Sequence, residues 1–173
     1  MLALWTAFAL AATPPAALVE ATPFRIEVPY DWTWGAQVPP VREGWLLVLE
    51  VDPALARPRP VGGQVLFVGD WIAEPLNPGW PSGCVVALVG PVDLAAAPIF
   101  YAPLDLPERV DRAEAAARRD RAWAAGARPM PPARWGRALE SEDIIDVLKA
   151  AAERIESCAP EELAWAEKYR MIP

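Results

Sequence analysis

Short apolar runs separated by proline and glycine dominate the first part of the chain. Four of them are rich in Val, Leu and Phe and are bounded by Gly, Pro or Asp, a pattern typical of β-strands. They cover residues 24–28, 45–51, 64–68 and 84–89, and a weaker candidate covers residues 98–101. The stretches 45–49 and 65–68 are continuously apolar, which predicts strands buried on both faces.

The connections between these runs indicate how the strands pair. Residues 29–44, 52–63 and 69–83 are long for hairpin loops and too rich in proline for crossover helices. Parallel neighbours would need such crossovers. We therefore expect antiparallel pairing with ordered loops that proline stiffens.

Helix signals are confined to the last part of the chain, where most of the charged residues also lie. Asp105 is a predicted N-cap, Pro107 lies in the first turn, and Gly126 is placed to end that helix. A second helix is predicted to begin after Ser141. Its apolar stripe would pack on the sheet and consists of Ile144, Leu148, Ala151 and Ile155. Pro160 begins a shorter third helix.

These patterns predict the α+β class. We expect a small, mostly antiparallel β-sheet, arranged as a sandwich or half-barrel, followed by two or three C-terminal helices. Residues 22–173 would form a single domain, with a β-rich core at 22–103 and a helical part at 104–173.

The N-terminus has the pattern of a secretory signal peptide. Residues 2–12 are uncharged, and as a helix they would cover about 16 Å, roughly half of a bilayer's hydrocarbon core. Val19 and Ala21 are the small residues that a signal peptidase requires, so residues 1–21 are the predicted signal peptide. No Lys or Arg precedes the apolar run, and an N-terminal core helix or strand is the alternative. Export would leave a periplasmic or extracellular product with no transmembrane span after processing.

The chain has two cysteines, Cys84 and Cys158. In an oxidising compartment an intramolecular disulfide is the simplest outcome for such a pair, and two buried thiols are the alternative. With no CxxC pair and no histidine, the chain has no predicted zinc site.

Composition narrows the chemistry further. The absence of histidine removes the commonest general base and metal ligand, and we predict neither a metal site nor a cofactor. The formal charge is 16 − 23 = −7, which argues against nucleic-acid binding because phosphate contacts need a surplus of Lys and Arg. Residues 107–137 are locally basic and residues 140–173 locally acidic, so attraction within the chain or between copies is open.

Carboxylates are the remaining acid and base equipment. Those near predicted strand ends are Glu27, Asp31, Glu43, Glu50, Asp52, Asp70, Glu74 and Asp93. Asp70 and Glu74 flank Trp71 directly after a predicted buried strand, which makes them the first candidates for a catalytic pair of the glycosidase type. In the simpler alternative Asp70 caps a turn and Glu74 is solvated. Ser82, in a sequence that resembles a nucleophile elbow, is one place out of position and has no histidine, so a turn is predicted there.

Tryptophan is the most unusual feature, with nine residues in 173. Trp32, Trp34, Trp71 and Trp80 fall in predicted loops, and Asp31 adds a carboxylate beside the first two. An indole presents a flat apolar face and one N–H donor, which suits stacking on sugars or on a partner protein. Loop tryptophans also fold back over sheet edges as additional core, so both interpretations are open.

We therefore predict an exported, non-catalytic protein of the cell envelope or extracellular space. It would bind a protein or glycan ligand through its Trp-rich loops, with Asp31, Trp32, Trp34, Trp71 and Trp80 as the binding residues. The alternatives are a carboxylate-dependent hydrolase acting on envelope polysaccharide and a structural subunit that buries an amphipathic helix in an assembly.

Overall fold

Two β-sheets and two long helices make up the part of the chain described by the structure, a computed structural model that covers residues 16–27, 43–52, 64–73, 75–103, 112–124 and 131–162. The strands are β1 (Ala17–Ile26), β2 (Glu43–Glu50), β3 (Gln64–Val68), β4 (Trp71–Ala73), β5 (Cys84–Val89), β6 (Ile99–Pro103), β7 (Arg134–Trp135) and β8 (Leu139–Ser141). The helices are α1 (Arg112–Ala124) and α2 (Ile144–Cys158).

The first sheet is built around the hairpin-like pair β1 and β2. Its order is β5-β2-β1, and β7 and β8 pair with the other edge of β1. The β1–β2 and β2–β5 pairs are antiparallel, whereas the short strands β7 and β8 run parallel to β1. The second sheet has the order β4-β3-β6 and is antiparallel throughout.

The two sheets pack face to face. Leu47, Leu49 and Val85 from the first sheet lie in one fully buried cluster with Leu66 and Val68 from the second. All six residues of β5 are buried, as the continuously apolar sequence of this strand requires. Burying such side chains contributes about 1.5–3 kcal/mol each, so this layer is the main source of stability.

Each sheet carries a helix on its outer face. Val147 and Ala151 of α2 pack on Leu46, Val48 and Val86 of the first sheet. On the second sheet, the Arg119 guanidinium of α1 lies 4.9 Å from the ring centroid of the buried Phe67 and 4.9 Å from that of Trp123. The described elements therefore form four layers in the order helix, sheet, sheet, helix.

The predicted α+β class is confirmed: a mixed, mostly antiparallel pair of sheets precedes the C-terminal helices. Residues 160–162, at the predicted third helix, are helical. The predicted caps Asp105 and Gly126 of the first helix lie outside the described residues.

Helix α2 differs from its prediction in cap and in register. Its N-cap is Asp143, whose side chain accepts a hydrogen bond from the Ile145 N–H. The predicted cap Ser141 lies just before it: its hydroxyl accepts from the Asp143 N–H and donates to the Asp146 carboxylate. The buried positions are Ile144, Val147, Ala150 and Ala151. Leu148 is 38% exposed, because the face that meets the sheet is turned by one position from the predicted stripe.

Strand β1 begins at Ala17, seven positions before the predicted strand. Alanine, glutamate and proline in this stretch carry little strand preference, and pairing with β2 on one edge and β7 on the other decides the conformation. The predicted signal-peptidase site after Ala21 falls inside β1, and the position of processing stays a prediction. Neither described helix is both long and apolar enough to cross a bilayer.

Cys84 and Cys158 form a disulfide, with their Cα atoms 6.1 Å apart. Of the two alternatives left open by the sequence, the bonded one is present. The bridge joins the first residue of β5 to the last residue of α2 and closes a loop with a sequence separation of 74. A disulfide is compatible with export to an oxidising compartment.

Candidate ligand-binding site

An open pocket of about 470 Å³ lies at one end of the first sheet. It is found where β1 ends, β2 begins and the chain leaves β5, and its volume lies in the range of small-ligand pockets. The lining residues are Pro23, Phe24, Glu43, Gly44, Trp45, Pro91, Val92 and Asp93. The predicted binding residues Asp31, Trp32 and Trp34 lie in the segment 28–42, between β1 and β2 in the sequence and outside the described residues.

Strand register brings the two sides of the pocket together. Trp45 of β2 pairs with Pro23 of β1 on one side and with Val89 of β5 on the other. A Cβ at Gly44 would lie 2.0 Å from the Val89 carbonyl oxygen, so only glycine permits this close approach. The chain after β5 therefore passes beside the start of β2.

Trp45 forms the apolar wall of the pocket. Its indole N–H donates a hydrogen bond of 2.9 Å to the Val92 carbonyl, and its ring packs against the core between the sheets. The hydrogen bond fixes the ring orientation and uses the only donor of the side chain. What the indole can offer a ligand is its π face.

A second indole extends this wall along the sheet. The ring centroids of Trp45 and Trp135 are 5.5 Å apart at an interplanar angle of 56°. Trp135 is 58% exposed, the most exposed of the large apolar side chains that the structure identifies. Its strand is fixed by backbone hydrogen bonds from Ala133 to Leu18 and from Gly136 to Ala21.

Two carboxylates complete the pocket. Glu43 is the first residue of β2 and is exposed. Asp93 is exposed in the turn after β5, where its Oδ1 accepts a hydrogen bond from the Ala95 N–H and its carbonyl accepts from Ala96 and Ala97. Asp93 is thus held by local turn geometry, and a carboxylate oxygen remains for a ligand.

A buried glutamate supports the strand that carries Trp135. Glu20 of β1 accepts hydrogen bonds from Thr22, Arg134 and Arg154, and so connects β7 and α2 to the sheet. Burial opposes its ionisation, but the hydrogen bonds from Arg134 and Thr22 and the nearby positive charges outweigh this effect. The pKa of Glu20 is therefore lowered from its ordinary value.

A second buried glutamate organises the loop before β5. Glu162 accepts hydrogen bonds from Asn77 Nδ2 at 2.5 Å and from Ser82 Oγ at 2.7 Å. Burial raises its pKa, and the negative charge of Glu161 acts in the same direction, against the effect of these hydrogen bonds. Ser82 also accepts from the Cys84 N–H, so its hydroxyl holds a turn that leads into β5.

The same network covers the outer edge of β5. Asn77 donates to the Cys84 carbonyl and accepts from the Val86 N–H, and the Leu76 N–H donates to the Val86 carbonyl. These bonds replace a neighbouring strand at an otherwise open edge. Glu162 therefore acts on the fold through Asn77 and not on the pocket.

The two buried glutamates should give opposite pH dependences of stability. Because its pKa is lowered in the folded state, Glu20 stabilises the fold above the ordinary glutamate value of 4.5, and this contribution is lost as the pH falls through the lowered value. Because its pKa is raised, the contribution of Glu162 is complete below 4.5 and is lost as the pH rises through the raised value.

Urea unfolding of Glu20→Gln and Glu162→Gln at acid and at neutral pH tests this prediction. The stability lost in Glu20→Gln should be larger at neutral pH, and the stability lost in Glu162→Gln should be larger at acid pH. Glu50→Gln, at an exposed position of β2, serves as the control for removal of one glutamate charge. Parallel pH profiles for the two buried variants would contradict the assignment.

The remaining residues predicted from the sequence are not gathered in the pocket. Trp71 is half-buried, donates its N–H to the Pro91 carbonyl at 3.1 Å and covers Gly90. Trp80 is half-buried against the core, and Asp70 is exposed in the turn between β3 and β4. Glu74 lies outside the described residues. Binding by Trp71 and Trp80 and catalysis by Asp70 and Glu74 stay predictions.

Trp45 and Trp135 were absent from the predicted binding residues. Trp45 opens an apolar run, which favours a core position, and Trp135 follows the prolines of residues 129–132 and lies in none of the predicted strands. No local pattern pairs them, since a strand register and a parallel β1–β7 contact bring their rings together.

Among the residues that the structure describes, no group of three or more Cys, Asp and Glu side chains is arranged to hold a metal ion. No family model, no curated protein and no solved structure matches the chain.

Proposed function

We propose that this chain is an exported, non-catalytic binding protein of the cell envelope or extracellular space, and that its protein or glycan ligand contacts Trp45 and Trp135 beside the pocket. The observation that carries the proposal is the contact between the exposed indole of Trp135 and the half-buried indole of Trp45, which lines a concave pocket. The proposed contact surface therefore belongs to the first sheet, at the start of β2 and on β7.

An exposed indole needs a reason in a soluble domain. Trp135 keeps more than half of its surface in water, although its large apolar area would favour burial. Tryptophan is enriched among the residues that dominate binding energies, because a rigid ring loses little conformational entropy when it contacts a ligand. The disulfide supports the exported part of the proposal.

The titration of the buried groups supports a non-catalytic role. Among the described residues, the glutamates with shifted pKa values are Glu20 and Glu162; both serve structural networks and neither lines the pocket. Active sites usually place such shifted groups where they meet substrate. For the hydrolase alternative, Glu43 and Asp93 are the carboxylates that share a pocket, and they are the pair to replace in a turnover assay.

Replacement of Trp135 tests the proposed surface. We expect Trp135→Ala to lose binding by about tenfold or more, equivalent to about 1.4 kcal/mol, on any glycan or peptide that an array identifies for the parent protein. Because Trp135 is exposed, the thermal unfolding temperature should change little.

Ile145→Ala is the matched control, since Ile145 is 52% exposed on α2, away from the pocket. It should leave array binding unchanged. Unchanged binding by Trp135→Ala, with a loss in Trp71→Ala instead, would move the contact surface to the loop predicted from sequence.

A further inference from the structure

We infer that the pocket beside Trp45 binds an ammonium group, specifically that of a lysine side chain on a partner protein. This inference rests on the proposed function and identifies the chemistry that its site recognises. It is carried by the donors, acceptors and apolar groups that line the pocket.

The side chains that line the pocket can accept hydrogen bonds from a ligand, but none of them has a free donor. All eight lining residues belong to the described part of the chain, and among their side chains only Trp45 has an N–H. That N–H is already bonded to the Val92 carbonyl. Glu43 and Asp93 contribute carboxylate oxygens, which accept hydrogen bonds. The complementary ligand group is therefore a donor.

Charge points in the same direction. Both polar side chains in the lining are acidic, and the chain as a whole carries a formal charge of −7. A phosphate or carboxylate ligand would be repelled by Glu43 and Asp93. An indole face attracts cations through its quadrupole, at about 0.5–1 kcal/mol in an exposed site. Trp45 thus adds to the preference for a cation.

Arg25, the basic residue that pairs with Glu43 across the strands, does not occupy the proposed ammonium site. Arg25 of β1 pairs with Glu43 across the strands and is exposed. It does not line the pocket, and among the described residues no basic side chain lies within 4.0 Å of the Glu43 or Asp93 carboxylate. Its positive charge lowers the attraction for a cation, so its removal is an informative variant.

The apolar part of the lining favours lysine over a sugar. Pro23, Pro91 and Val92 form a surface on which the four-carbon stem of lysine can lie while its ammonium group reaches the carboxylates. Sugar hydroxyls would need both donors and acceptors, and the lining side chains supply acceptors alone. A hydroxyl could donate to a carboxylate, but its oxygen would find no free donor among the lining side chains.

Titration of the full, disulfide-bonded protein with matched short peptides tests the inference. The probes are acetyl-Gly-Lys-Gly-amide, its norleucine analogue, which keeps the stem without the charge, and its glutamate analogue. Tryptophan fluorescence and calorimetry report binding. We expect the lysine peptide to bind about tenfold more tightly than the norleucine peptide and the glutamate peptide not to bind.

Three variants locate the effect. Glu43→Gln and Asp93→Asn should each weaken lysine-peptide binding by about threefold or more and leave norleucine-peptide binding unchanged. Glu50→Gln, at the opposite end of β2, makes the same change in net charge and should have no effect. Arg25→Ala should strengthen lysine-peptide binding, and high salt should weaken it.

The outcomes separate this inference from the proposed function. Equal binding of the lysine and norleucine peptides, both lost in Trp135→Ala, would overturn the ammonium preference and leave the indole surface in place. Absence of binding by every peptide would overturn the inference, whereas the array experiment on Trp135 decides the proposed function independently. If an oligomer of glucosamine binds more tightly than the lysine peptide, the ammonium group belongs to an amino sugar and not to a partner protein, and the inference of a lysine ligand is wrong.

Discussion

A chain that begins at Thr22 should lose its cooperative fold, and a chain that begins at Ala16, which keeps all of β1, is the matched comparison. The shorter chain lacks the first half of β1, which pairs with Leu47–Glu50 positions of β2 and supports β7 on its other edge. It also lacks the buried side chain of Leu18 and the carboxylate of Glu20.

The expected loss is large because several contributions disappear together. Burial of a leucine contributes about 1.5–3 kcal/mol, and a hydrogen bond to a charged group about 1.5–3 kcal/mol, less at Arg134, whose side chain is 70% exposed. Arg154, which donates to Glu20 from α2, would be left half-buried without that carboxylate. These losses are comparable to the total stability of a small domain, about 5–15 kcal/mol.

Thermal and urea unfolding of the two truncated chains and of the full chain would measure this effect. The experiment also bears on the predicted processing after Ala21. If N-terminal sequencing shows that the exported product starts at Thr22, and this product unfolds like the full chain, the predicted loss of the fold is wrong.

Removal of the disulfide is the second change with a large expected effect. Replacing both Cys84 and Cys158 with alanine should lower the free energy of unfolding by about 4 kcal/mol, because the unfolded chain gains the entropy of an open loop of this length. The bridge lies next to the Asn77–Glu162 network, since Asn77 donates to the Cys84 carbonyl. Urea unfolding of the parent and the double variant measures the difference.

Reduction of the parent protein is the matched control. It breaks the same bond without changing the sequence, and it should reproduce most of the loss seen in the alanine variant. The single variant Cys158→Ala should resemble the double variant. Equal stability of the oxidised and reduced parent would show that the bridge contributes nothing.

The sequence predicted those strands whose local hydrophobic pattern is enough to determine their conformation. The runs at 45–51 and 84–89 became β2 and β5, since continuous apolar residues suit strands covered on both faces. The start of β1 was not predictable in this way, because Glu20 and Thr22 are polar: Glu20 is buried with Arg134 and Arg154 as its hydrogen-bond donors, and Thr22 donates to Glu20. Those partners lie more than a hundred positions later in the chain.

The candidate site shows the same limit. Glu43 and Asp93 were recognised as carboxylates near strand ends, but nothing local indicates that they share one pocket. That juxtaposition depends on the β2–β5 register and on the close passage of the chain at Gly44. The contact between Trp45 and Trp135 likewise depends on a two-residue parallel pairing that has no periodicity to detect.

The hydrogen bonds that Leu76 and Asn77 make to β5 have a consequence for the behaviour of the protein at high concentration. A strand with an apolar sequence and a free edge is a template for fibre growth, in which a second molecule adds its own strand. At Val86 both backbone polar groups already have partners within the molecule, as does the carbonyl of Cys84. The loop thus occupies this edge within the molecule and blocks pairing with a second chain there, and Glu162, the last of the described residues, holds Asn77 in place for this role.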